Sequence, residues 1–101
     1  MKMLMIVFRQ SLEEEIMKVL RELGVKAFTE VPSVVGAGET GIALHTFVSP
    51  QANSIVLTAL ADDHAAKVIA GLHAYRDTLT DRQHGAYIPL RVFSLPCDLV
   101  V

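Results

Sequence analysis

Two dense apolar runs, each followed at once by an amphipathic helical pattern, constrain this chain more than any other feature. The first run is residues 2–9, KMLMIVFR, and the second is residues 54–61, SIVLTALA. Both are too short to span a bilayer, and both are apolar on alternate positions of either parity, so each reads as a strand buried on both faces. After the first run, Ser11-x-x-Glu14 has the form of a capping box, and Glu13, Glu14 and Glu15 suit the positive end of a helix dipole. Leu12, Ile16, Leu20 and Leu23 then recur at helical spacing, with Met17 and Val19 widening the stripe and Gly24 as the stop. After the second run, Asp62 or Asp63 is the expected cap of a helix reaching Thr78 or Leu79. Its apolar side is Ala65, Val68, Ile69, Leu72, Tyr75 or the stem of Arg76, and Leu79.

The remaining segments complete the order. Residues 25–35, VKAFTEVPSVV, read as a strand, and Pro32 predicts that it is an edge strand or carries a bulge. Residues 36–53 are irregular, with ALHTF as a short strand inside them. Residues 80–86, TDRQHGA, are expected as a polar loop, and 87–101 as a last strand broken near Pro96 with an apolar end. The order β-α-β-β-α-β predicts an α+β, ferredoxin-like sandwich: a four-stranded antiparallel sheet with two helices on one face, as one domain over 1–101. The second sheet face then needs cover, most simply from other copies of the chain.

Composition narrows the function classes. Apolar residues make up 51% and charged residues 20%, too apolar for a disordered chain. A formal net charge of −2 leaves no basic footprint, so no nucleic acid is expected. No transmembrane segment and no leader are expected, since the apolar stretch in MKMLMIVFRQ is short. The single cysteine, Cys97, excludes an internal disulfide and a Cys-x-x-Cys zinc site, and suits a reducing, cytoplasmic setting.

Few residues could carry chemistry. Gly36-x-Gly38-x-x-Gly41 has dinucleotide-fingerprint spacing, but no helix opens after it to receive a pyrophosphate. It is either a plain flexible turn or a backbone nest near a ligand, and Glu39 argues against a phosphate directly on it. His64 and His73, nine residues apart on the second helix, do not share a metal-binding face and read as helix-surface residues. His45 with a carboxylate or with Cys97 is a candidate metal pair of undiagnostic spacing. Met1, Met3 and Met5 alternate as strand packing does. Arg76, Arg82 and Arg91 could form an anion site with a glycine turn of a neighbouring subunit. No acid–base pair or nucleophile with its base stands out, so no enzymatic activity is expected.

Taken together, MKMLMIVFRQSLEEEIMKVLRELGV, FTEVPSVVGAGETG, SIVLTALADDHAAKVIAGL and VFSLPCDLV resemble the PII-like signalling proteins over nearly the whole chain. The most specific pieces are TEV before the Gly-x-Gly turn, ADD at the start of the second helix, and VFSLPCDLVV. The resemblance implies a homotrimer of ferredoxin-like units that binds a small effector, often an adenine nucleotide, in clefts between subunits. A loop between the second and third strands would report the bound state to a partner protein such as a transporter or enzyme. By position, Gly36, Gly38, Glu39, Thr40 and Gly41 would form the base of that loop, and Arg82, His84, Gly85 and Tyr87 the opposing loop, with Arg91 beyond it. Departures from the nitrogen-signalling pattern are clear. Glu39 and Thr40 replace Arg-Gln, the glycine-rich phosphate loop is replaced by residues 80–86, and the long loop holds no tyrosine to modify. The alternative is a metal-handling protein like the similarly folded CutA trimers, with a divalent or soft metal on His45, His84 or Cys97.

Overall fold

The computed structural model describes residues 1–35, 52–85 and 87–101. The strands are β1 (Lys2–Arg9), β2 (Thr29–Val34), β3 (Asn53–Leu60) and β4 (Leu90–Pro96). The helices are α1 (Glu13–Glu22) and α2 (Asp62–Arg82). All strand pairs are antiparallel in the order β2-β3-β1-β4, the expected ferredoxin-like α+β sheet. Both helices pack on one face of it.

The register sorts every strand residue to one of two faces. Toward the helices point Leu4, Ile6 and Phe8 of β1, Val56, Thr58 and Leu60 of β3, and Leu90 of β4, all buried. They meet Ile16 and Leu20 of α1 and Ala65, Val68, Leu72 and Leu79 of α2, so both predicted stripes form the core. Each large side chain buried here is worth ~1.5–3 kcal/mol. Thr58 and Ser54 are the polar members: the Thr58 hydroxyl donates to the Ala27 carbonyl at 2.8 Å, and the Ser54 hydroxyl has no partner among the described residues.

The opposite face carries no helix among the described residues. Its rows read Leu95–Met3–Ala59, then Phe93–Met5–Leu57–Thr29, then Arg91–Val7–Ile55–Val31. Met3 and Met5 therefore lie on this face and not in the core. Phe93 is 51% exposed and Leu95 43%.

Local departures from the sequence expectations have physical causes. No capping box forms at Ser11: a 3-10 turn over Gln10–Leu12 takes that place, and α1 begins after Leu12 without a side-chain cap. Asp62 does not cap α2 either; its carboxylate lies 2.9 Å from the Met1 amino group. His64 is not a free surface residue, because its Nε2 lies 2.8 Å from the Leu23 carbonyl as a tie between the helices. Pro32 behaves as expected, on an edge strand at an irregularity between Val31 and Val34 where Ser33 has φ +57°. A Cβ on Gly71 would lie 2.5 Å from Leu23 Cδ1, so a side chain there requires Leu23 to move.

Candidate functional site

One end of the sheet gathers three chain segments. Val34 at the end of β2 pairs with Asn53 at the start of β3, so the two flanks of 36–51 leave the sheet together. Gln10 N–H donates to the Ala52 carbonyl at 3.0 Å, and Arg9 N–H donates to the Pro89 carbonyl at 3.1 Å. The end of β1, the base of the β2–β3 connection and the connection into β4 therefore share one corner of the fold.

Register places two guanidinium groups at this corner on the open face. Arg91 pairs with Val7, and Arg9 pairs with Asn53, one step further along the same face of β1. Such diagonal neighbours have Cα atoms about 7–8 Å apart, within reach of each other for long side chains. The ion pairs among the described residues are Met1–Asp62 and Arg82–Glu15, so neither Arg9 nor Arg91 is neutralised there. Two such cations side by side favour an anion between them.

The connection from α2 to β4 supplies the other wall. The predicted loop over 80–86 is corrected, because α2 continues to Arg82. His84 and Gly85 then take φ +55° and +82°, and the left-handed turn stops the helix. Gln83 N–H donates to the Leu79 carbonyl at 3.0 Å, His84 N–H to Asp81 at 3.2 Å and Gly85 N–H to Thr80 at 2.9 Å. These amides are spent on the helix end, so an anion here would be met by side chains and not by a backbone nest. Tyr87 stands beyond the turn, 69% exposed.

Arg82 is tied back to the helices. Its guanidinium lies 3.5 Å from Glu15 Oε1, while the Tyr75 hydroxyl donates to Glu15 Oε2 at 2.9 Å. Burial, and behind it the bond to the Glu15 carboxylate, push the Tyr75 hydroxyl up to about 12.

Of the sequence-predicted residues, Gly36, Gly38, Glu39, Thr40, Gly41 and His45 lie outside the described residues. Arg82, His84, Gly85 and Tyr87 come together on the connection, and Arg91 joins the same end from the open sheet face. Cys97 does not: its N–H bonds the Met1 carbonyl at 3.3 Å, at the far end of β4. The seven residues of β4 separate it from His84, roughly 20 Å at strand rise. Among the described residues no three His, Cys, Asp or Glu gather to hold a metal, which removes support for the metal alternative on Cys97 and His84. The sequence reading missed Arg9; its signal was parity, since it falls on the same face of the first strand as Met3, Met5 and Val7.

The family model for nitrogen regulatory protein P-II matches residues 1–96. The chain belongs to that family. No curated protein matches the chain. Among solved structures, the PII-like protein CPII from Thiomonas intermedia K12, bound to ADP, AMP and bicarbonate, superposes with a TM-score of 0.67. It is 20% identical, with 93% of this chain and 82% of that chain covered. The same protein bound to ADP and bicarbonate gives 0.68 at 19% identity, covering 93% and 82%. A protein of Thermus thermophilus described as a PII-like signalling protein gives 0.58 at 18% identity, covering 93% and 83%. At these identities the P-II neighbours establish the shared fold and nothing finer. No helix among the described residues is long and apolar enough to cross a membrane.

Proposed function

We propose that this P-II family member is a non-catalytic, homotrimeric regulator that binds an adenine nucleotide in the seams between its copies. The observation that carries the reading is the open sheet face: apolar along its length, and ending in Arg9 and Arg91 where the flanks of 36–51 meet the connection into β4. Covering the apolar rows with neighbouring copies places those cations in the seams. Phosphate groups then bind guanidinium groups in place of the missing glycine-rich phosphate loop, and the exposed ring of Tyr87 offers a surface for a purine. CPII holding ADP and AMP supports this ligand class. As the family resemblance implies, Gly36, Gly38, Glu39, Thr40 and Gly41 would form the base of a loop that reports the bound state to a protein partner.

Titration calorimetry with ADP, AMP and ATP, on a sample whose mass is measured by light scattering, tests the reading. It expects a trimer, saturable binding, and at least a tenfold loss of affinity in an Arg9→Ala/Arg91→Ala chain that remains trimeric. A folded trimer that takes up none of the three nucleotides removes the ligand, and a monomeric mass removes the seams.

A further inference from the structure

A groove of about 230 Å³ runs between α2 and β4, on the helix side of the sheet. Ile69 and Leu72 of α2, with Leu90 and Val92 of β4, give it an apolar floor. Leu72 and Leu90 are buried, and Ile69 and Val92 half-buried. Parity explains the β4 side: Leu90, Val92 and Ser94 oppose Phe8, Ile6 and Leu4, the β1 residues that face the helices. The floor is therefore the margin of the core.

Three polar side chains stand around that floor. His73 and Arg76 lie three residues apart on α2, neighbours on one helix face, and Ser94 comes from β4. The Arg76 side chain is half-buried, yet among the described residues no carboxylate lies within 4.0 Å of it. Among the same residues, none of the three side chains makes a hydrogen bond. A guanidinium partly withdrawn from water and left without an anion is costly, and its planar donors suit a carboxylate held by two bonds. The floor next to it gains from aliphatic groups only. The groove falls below the ~300–1,000 Å³ of pockets for drug-sized ligands, so the guest that fits it is small.

We propose that the α2–β4 groove binds a small aliphatic carboxylate, its charged end on Arg76 beside His73 and Ser94 and its hydrocarbon tail along Ile69, Leu72, Leu90 and Val92. The groove lies on the helix side, whereas Arg9 and Arg91 lie on the other face of the sheet, so this site is separate from the nucleotide seam and does not rest on that reading.

Hexanoate is the probe, followed through the backbone amide shifts of the isotope-labelled wild-type protein in its own assembly state. It is expected to move the amides of 69–76 and 90–94 saturably. Butanoate should bind at least about tenfold more weakly, because each buried CH₂ is worth ~0.8 kcal/mol. Hexanol, the same tail without the charge, should also bind at least about tenfold more weakly, the usual worth of a hydrogen-bonded charge. In an Arg76→Gln chain, shown by thermal melting to be folded, the difference between hexanoate and hexanol should vanish. Three results would each overturn the site: no saturable shift at the groove up to about 10 mM hexanoate, equal affinity for hexanoate and hexanol, or full hexanoate affinity in Arg76→Gln. The first of these, with binding recovered in a Met5→Asp protomer, would show that a second copy and not a carboxylate fills the groove. The nucleotide reading stands or falls separately, on Arg9 and Arg91.

Discussion

The two faces of one sheet are nearly matched in apolar content and opposite in what they do. The helix-side face of β1, Leu4, Ile6 and Phe8, is at most 1% exposed, whereas Met3, Met5 and Val7 on the reverse are only half-buried and lie beside exposed Phe93 and Leu95. Hydrophobicity along β1 therefore cannot say which face holds the protomer together. The helices decide it, because α1 and α2 supply a stripe each to one side only. The other side leaves its apolar rows without a helix over them among the described residues.

Paired substitutions one residue apart test this difference most strongly. Ile6→Ala should cost ~3 kcal/mol in urea unfolding, since the cavity opens in a core with no room to collapse, and it takes a large share of a total near 5–15 kcal/mol. Met5→Asp should instead leave the far-UV circular dichroism of the protomer intact at low temperature and drop the light-scattering mass below the trimer. A Met5→Asp chain that keeps the full assembly mass would break the comparison, because the open face would then be a tolerated surface. Gly71→Val probes the helix side without touching the sheet. The new side chain meets Leu23 where a bare Cβ already comes to 2.5 Å, so α1 and α2 must separate or Leu23 must rotate out. A loss of ~2 kcal/mol is expected, the usual range for overpacking, with the assembly mass at low denaturant unchanged.

What was legible in the sequence was what is periodic or sterically forced. The strand runs, both helical stripes and the edge position of β2 follow from side-chain spacing and from the missing N–H of Pro32. Helix ends were less legible, because several local solutions compete. A 3-10 turn displaced the capping box at Ser11, and Thr80 to Arg82 stayed helical because the left-handed stop comes only at His84 and Gly85. The site was half legible. Arg82, His84, Gly85 and Tyr87 are neighbours in sequence and stay together, but the proximity of Arg9 to Arg91 depends on strand register, which no local pattern encodes. Residues 36–41, which the sequence offered as the base of the ligand loop, lie outside the described residues.

The smallest expected effect lies at the margin between the faces, on the edge strand. Glu30 of β2 points to the helix side, opposite Val56, and comes beside Glu13 at the start of α1. Its Oε2 atom is buried without a hydrogen-bond partner among the described residues. The Glu13 carboxyl, which a protonated Glu30 can hydrogen-bond, is the main cause that raises the Glu30 pKa above its ordinary value, followed by burial and by repulsion between the two charges. A carboxyl with a raised folded-state pKa destabilises the fold once both states are ionised, and that loss is recovered as the pH falls through the folded-state value. Glu30→Gln should therefore stabilise the protein at neutral pH, by ~0.5 kcal/mol or less because, although Oε2 is buried, the residue as a whole is only half-buried and solvent screens its interaction with Glu13. The gain should shrink toward zero as the pH is lowered into the carboxylate range, where the wild-type side chain takes up its proton. Thermal melts of the two chains at pH 7 and pH 4 check it: a constant difference would mean that the glutamine acts through packing, and a loss of stability at pH 7 would mean that the Glu30 carboxylate is held by a cation and not strained against Glu13.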